Sequence, residues 1–323
     1  MARKGKYDRK KRAIIISGLI AVVILTLYRI TDTGRSSKET SETLAAAELM
    51  SESVALISGY CLKNNINING EADPAFTGLI GPEISDITTT VGHLESKRTS
   101  LNPEFASLIV RLLSDAGVVA DDTIAIASSG SFPALMIASM SAAEAMGVKV
   151  RMILSVGSSS YGANNPEFML PDIYGLVKDK YPGTQLVGLS LGGEADEGKE
   201  FEAYIRESII KKISGTNLTL IYNNDLATNI SQRIDLFTNF STIDIKALIS
   251  CGGSWSSMGT SALSLKLKPG LIRTSKLPPE EYRGLIYTML GHDIPVIHLL
   301  YIKGICQRYG ILYDPVMEPI VSR

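Results

Sequence analysis

Histidine and cysteine are both scarce, at three residues each among 323, and neither set falls into a ligand spacing. The histidines form no HxxxH or HExxH pair, which argues against a histidine-rich metal centre. Cys61, Cys251 and Cys306 are odd in number and widely separated. That pattern gives no CxxC metal site and no disulfide framework, and leaves a single bridge open. No metal and no cofactor are therefore expected. The chain also lacks GxGxxG and the GxSxG nucleophile elbow. Charged residues make up only 20% against 45% hydrophobic, which excludes a disordered chain and permits a sizeable core.

Net charge is −1, but it is unevenly spread. Residues 1–12 hold seven basic side chains and Asp8; subtracting them from 32 basic and 33 acidic residues leaves 25 and 32, or −7, in 13–323. The main body reads as mildly acidic without a basic face, so no nucleic-acid partner is expected.

One long apolar run is present. Ala13–Tyr28 is sixteen residues without a charge, about 24 Å as a helix at ~1.5 Å per residue. Flanking Lys11, Arg12 and Arg29 can snorkel to reach the span of a bilayer core. The preceding basic cluster predicts a cytoplasmic N-terminus over residues 1–12 and a single-pass anchor over 13–30. A Ser/Thr-rich tether over 31–43 and an extracytoplasmic domain over 44–323 follow. No A-x-A site follows the run, which favours an anchor over a cleaved signal peptide. The cell membrane is thus an expected partner.

The rest alternates between apolar runs and helical patterns. Helices are expected over 42–63, from Asn102-Pro103, over 133–146 and 197–213, and after Asp225. Strands are expected at 123–127, 150–156, 185–191, 218–222 and 245–250, each closed by Gly, Ser or Asn. Residues 71–100 read as irregular, and 279–290 and 295–309 as two helices broken at Gly291-His292-Asp293-Ile294. The expected fold class is α/β, with βαβ units and a mostly parallel sheet.

Ligands of such sheets bind beyond the strand carboxyl ends. The Ser/Gly loops there offer backbone N–H groups and hydroxyls suited to anions. The candidate ligand-binding residues are Ser128, Gly130, Ser131, Ser158, Ser159, Ser160, Gly252 and Gly253. The adjacent cations Lys97 and Arg98 join them, since arginine holds carboxylates through paired hydrogen bonds. Ser129, at a strand-to-helix turn, and Ser254, before the only tryptophan, are candidate nucleophiles. His292 is the candidate base and His93 the alternative. Two motif matches fail. Gly193–Lys199 fits a phosphate loop, but Glu200 replaces the magnesium-binding hydroxyl and three acids crowd the loop. Ser208-Ile-Ile-Lys211 lies within a charged amphipathic helix.

The segments TTVGHLESKRTSLNPEFASLIVRLL (89–113), TIAIASSGSFPALMIASMSAAEAMG (123–147), SVGSSSYGANNPEF (155–168) and GHDIPVIHLLYIKGICQRYGILYDP (291–315) resemble the poly-γ-glutamate system protein family. The resemblance covers most of the chain after the tether. It implies a membrane-anchored accessory role beside poly-γ-glutamate synthase and export subunits, with γ-glutamyl chains as a ligand. It supplies no catalytic residues. An acidic domain would repel such a polyanion at long range, so a local cleft is expected rather than a charged surface. Two rivals remain: a serine-dependent γ-glutamyl amide hydrolase or transferase, and a purely structural subunit.

Overall fold

Short apolar runs that end in Ser or Gly are what a strand buried on both faces requires. A computed structural model of the chain describes residues 39–316, 318 and 319. The expected anchor over 13–30 lies outside the described residues. Among the described residues no helix is long and apolar enough to cross a membrane. The described residues from 43 onward form one compact unit, and only 39–42 are described of the other.

Helix α1 spans residues 39–63. After it come β1 (Thr88–Thr90), α2 (Leu94–Ser100) and α3 (Glu104–Ala116). Next are β2 (Thr123–Ser129), α4 (Pro133–Ala145), β3 (Lys149–Ser155) and β4 (Ser158–Ser159). A short hairpin of β5 (Asn164–Asn165) and β6 (Phe168–Met169) leads to α5 (Leu170–Val177), β7 (Thr184–Ser190), α6 (Ala203–Ser214) and β8 (Thr219–Ile221). The chain continues through α7 (Leu226–Thr238), β9 (Ile245–Cys251), α8 (Trp255–Met258) and β10 (Gly270–Ile272). It closes with α9 (Leu285–Gly291), β11 (Val296–Leu299) and α10 (Ile302–Tyr309).

The central sheet has the order β10-β11-β9-β2-β3-β7-β8. All neighbours run parallel except the edge strand β10. Side chains alternate between two cores. Ile124, Ile126, Met152, Leu154, Ile249, Ile297 and Leu299 face α1, α3, α4 and α10. Ala125, Ala127, Ile153, Leu248 and Val296 face α7 and α9. Helix α4 is buried from Pro133 through Ala143, which explains its lack of a polar stripe. From β2 the chain winds outward through β3, β7 and β8, then returns to place β9 on the other side of β2. That reversal opens a crevice between the β2 and β9 carboxyl ends, the position where such sheets bind ligands.

Four expectations are corrected. Residues 71–100 contain β1 and α2. Residues 295–309 split into strand β11 and helix α10, because a four-residue apolar run cannot be told from a helix by periodicity. The helix expected over 279–290 is shorter: a 3-10 turn at Glu280–Tyr282 precedes α9, which begins at Leu285. The helix expected from 197 begins at Ala203, because Asp196 is drawn into the interior instead. Asp196 and Arg233 are each 1% exposed and meet at 2.5 Å. Arg233 also donates to Ser190 Oγ at 2.7 Å, and Ser190 donates to Asp196 Oδ1 at 2.9 Å. Ser155 and Ser190 share a 2.8 Å hydrogen bond across β3 and β7. This network ties loop 192–198 to the sheet. Removing one partner leaves a buried uncompensated charge. Asp196→Ala or Arg233→Met should each lower unfolding free energy by ~3–5 kcal/mol, measured by urea denaturation; a change near zero would show that the pair carries no such weight.

Candidate functional site

A cavity of about 660 Å³ occupies that crevice. The carboxyl ends of four parallel strands reach it: Ser129 ends β2 and Ser131 follows it, Gly157 and Ser159 follow β3, Gly192 and Gly193 follow β7, and Gly253 and Ser254 follow β9. Residues 89–93, Lys97 and the start of α10 close the other wall.

Local pairing builds its floor. Strand β4 pairs with β1 in parallel, Thr90 beside Ser159. Ser159 N–H donates to Ser131 Oγ at 3.0 Å. Lys97 projects from α2 and is 3% exposed. Its Nζ donates to Ser159 Oγ at 2.6 Å and to the Ser131 carbonyl. The Phe132 ring lies 3.9 Å from Nζ. Among the described residues no carboxylate stands within ion-pair distance of Lys97. Burial without a counter-ion pushes the Lys97 ammonium down to about 7. Cation–π attraction to Phe132 favours the charged form, but desolvation outweighs it. Gly92 is required by space. A Cβ there would stand 2.6 Å from the Ser160 carbonyl, 3.0 Å from Ser159 Oγ and 3.2 Å from Lys97 Cε.

The sequence candidates separate in three dimensions. Lys97, Ser129, Ser131, Ser159, Gly253 and Ser254 line the cavity together with His93. Ser129 is 5% exposed and its Oγ has no hydrogen-bond partner. Ser254 caps α8, accepting from Ser257 N–H at 3.2 Å. Ser128, Ser158 and Ser160 are buried away from the cavity wall, and Ser158 Oγ donates to the Ser159 carbonyl at 2.8 Å. Gly130 and Gly252 do not line the cavity: a Cβ at Gly130 would meet the Val156 carbonyl, and Gly252 sits at φ +95° where a Cβ would meet Ser129 Oγ. His292 is exposed in the connection from α9 to β11, at the amino edge of the sheet. A base there cannot serve a hydroxyl at the carboxyl edge. Trp255, 42% exposed, is cavity wall.

Arg98 is already engaged. Its Nε and a terminal NH2 donate to the two Asp314 carboxylate oxygens at 2.9 and 3.2 Å. The Asp314 N–H donates to Thr99 Oγ1 at 2.8 Å, and Ser96 Oγ meets Tyr313 Oη at 3.1 Å. These contacts pin α2, and Lys97 with it, to the segment after α10. Glu200, Tyr301, Lys303 and Tyr313 also line the cavity. No sequence signal marked them, because they arrive from separate elements.

Cysteine chemistry is excluded at this site. The three thiols are free and buried, and burial raises Cys61 to about 11 and Cys251 to about 12. Among the described residues no three His, Cys, Asp or Glu side chains are placed to hold a metal ion.

Arg98→Ala should free α2 while leaving the sheet intact. The pair is about one quarter exposed, so ~1 kcal/mol is at stake, and amide exchange across 94–100 should rise ~5-fold with β2 unchanged. Unchanged exchange in α2 would show that Asp314 does not pin it. Comparison of the chain with protein-family models, with curated proteins and with solved structures finds no match in any of the three.

Proposed function

We propose that the cavity carries out lysine-assisted acyl transfer on an amide bond, with Ser159 as nucleophile and Lys97 as general base. The observation that carries this reading is the Lys97–Ser159 contact at the cavity floor. A lysine brought down to about 7 holds a substantial neutral fraction near neutral pH, which a base needs.

Neutral Lys97 takes the Ser159 hydroxyl proton as Oγ attacks the carbonyl carbon. The oxyanion is met by hydroxyl donors. Ser131 Oγ accepts from Ser159 N–H and keeps its own proton to donate, and Ser129 Oγ has no other partner. Protonated Lys97 then gives its proton to the departing amide nitrogen, which leaves as an amine. An ester on Ser159 remains. Water attacks it, Lys97 takes the water proton, and Ser159 is regenerated with release of a carboxylate. An incoming amine in place of water gives transfer.

The resemblance to poly-γ-glutamate system proteins narrows the amide to a γ-glutamyl linkage. It supports a reaction at the cell envelope, beside synthesis or export subunits, with residues 13–30 as the anchor. A second reading keeps the cleft as a γ-glutamyl binding site of an accessory subunit without turnover. The burial of Ser159, at 6% exposed, favours it, since an acyl carbon must reach Oγ.

Turnover of a γ-glutamyl oligomer separates the two. Ser159→Ala and Lys97→Met should each reduce it roughly 100- to 10,000-fold, while Ser254→Ala leaves it unchanged. Wild-type kcat/KM should rise as pH passes about 7, where Lys97 loses its proton; His93, Glu200, Tyr301, Lys303 and Tyr313 are the other charged or titratable cavity groups. Turnover that survives Ser159→Ala removes the hydrolase reading. Calorimetric binding without turnover leaves the second.

Stability offers an independent check on Lys97. Its folded-state value lies below the ordinary 10.5. Between pH about 7 and 10.5 the unfolded chain therefore holds a proton that the folded chain lacks. The contribution of Lys97 climbs with pH through that window and is lost as pH falls through about 7. Lys97→Met should flatten that part of the stability–pH curve; a variant curve parallel to wild type would mean that Lys97 is not depressed.

A further inference from the structure

A second cavity, of about 620 Å³, opens beside β10 at the edge of the sheet. Its wall carries Lys266, Lys268, Arg273 and Arg308 against one carboxylate, Asp115. All four cations are exposed. Among the described residues none of them forms an ion pair. Arg273 donates to the Asp115 carbonyl, and Arg308 donates to the Pro269 carbonyl at 2.8 Å. Each guanidinium is thereby oriented through one N–H, and its other donors stay unspent. Arg308 is further steadied by the Tyr309 ring, 5.3 Å from Cζ.

This concentration runs against the rest of the chain. Residues 13–323 carry −7, yet 254–279 contain Lys266, Lys268, Arg273 and Lys276 and no Asp or Glu. Helix α10 then delivers Arg308 to the same wall. Four like charges around one concavity repel one another, and that repulsion is relieved by bound anions. Two anchored guanidinium groups suit oxyanions recognised by paired hydrogen bonds.

We propose that this cavity binds a soluble oligoanion carrying two or more phosphate or carboxylate groups. Multiple charges on the ligand are required because four cations face one space. A volume of about 620 Å³ fits a small molecule or a short chain segment, within the roughly 300–1,000 Å³ typical of ligand pockets. A nucleic-acid duplex is disfavoured, since it seeks an extended basic face rather than a concavity with Asp115 in its wall. The site lies apart from the Lys97–Ser159 cavity and does not depend on the reaction proposed there.

Calorimetry on the full chain tests it, with tripolyphosphate, propane-1,2,3-tricarboxylate and a short DNA duplex as probes. At least one small anion should bind with a sub-millimolar Kd. That binding should weaken ~10-fold or more between low salt and ~0.15 M, as expected for exposed charges screened over about 8 Å. The better of the two small probes identifies phosphate or carboxylate as the group recognised. Lys266→Glu/Lys268→Glu should weaken binding at least ~10-fold, and Arg308→Gln, a milder change, ~3-fold or more. Lys303→Ala, in the other cavity, should leave it unchanged. No heat with either small anion at millimolar concentration overturns the proposal. So does binding to the duplex alone, or binding that Arg308→Gln leaves intact in a protein with wild-type melting.

Discussion

An ammonium group buried without a carboxylate is the constraint around which the carboxyl edge of this sheet is arranged. Lys97 is 3% exposed, and among the described residues its charged form finds only the Ser131 carbonyl, the Ser159 hydroxyl and the Phe132 ring. Those partners compensate incompletely for lost hydration, so the equilibrium moves toward the neutral amine. Several local features then follow. Residue 92 must lack a side chain, because a Cβ would collide with the Ser160 carbonyl and crowd Ser159 Oγ and the Lys97 stem. Strand β4 must pair with β1 so that Ser159, not Ser158, faces the lysine. Helix α2 must be held in rotation, and the Arg98–Asp314 fork does that.

The opposite wall is held by a different device. Loop 192–198 has to present Gly192 and Gly193 to the cavity while turning sharply, with both glycines at positive φ, +74° and +72°. Nothing in the loop is apolar enough to anchor it by burial. Asp196 anchors it instead, reaching Arg233 and Ser190 beneath α7. Ionic anchoring is costly in desolvation but directional, and direction is what a loop beside a cleft needs. The site therefore has one wall fixed by an ion-paired buried charge and another containing an unpaired one. That asymmetry separates scaffold from chemistry: Asp196 and Arg233 neutralise each other, while Lys97 is left with a proton it can lose.

The sheet was legible in the sequence because its strands are apolar runs closed by Ser or Gly. Their shared edge followed from the βαβ alternation. Strand β11 was misread because Val296–Leu299 is too short to show a period. The site was legible only as a set of loops. Lys97 and Arg98 read as a pair of cations facing one anion, which holds only in an irregular segment. On helix α2 neighbouring residues diverge by about 100°, so Lys97 turns into the core and Arg98 turns to Asp314. Among Ser158, Ser159 and Ser160 nothing in the sequence distinguishes the one that meets the lysine. That distinction comes from the pairing of β4 with β1, a contact between segments 69 residues apart.

Net charge hid the remaining structure in a similar way. A total of −7 over 13–323 suggests a surface that repels anions everywhere, but screening confines each charge to about 8–10 Å. Recognition therefore depends on local composition. At the Lys97 cavity the one buried cation is partly neutral, so an anionic substrate would be held by oriented hydroxyl and N–H groups, with Lys303 at the wall. Salt should affect that binding little, since short hydrogen bonds in a confined site are poorly screened. At the β10 edge the cations are exposed and uncompensated, so binding there is electrostatic and falls with ionic strength. Anion binding at the two cavities would thus rest on different physics, and its salt dependence would tell them apart without any knowledge of the natural ligand.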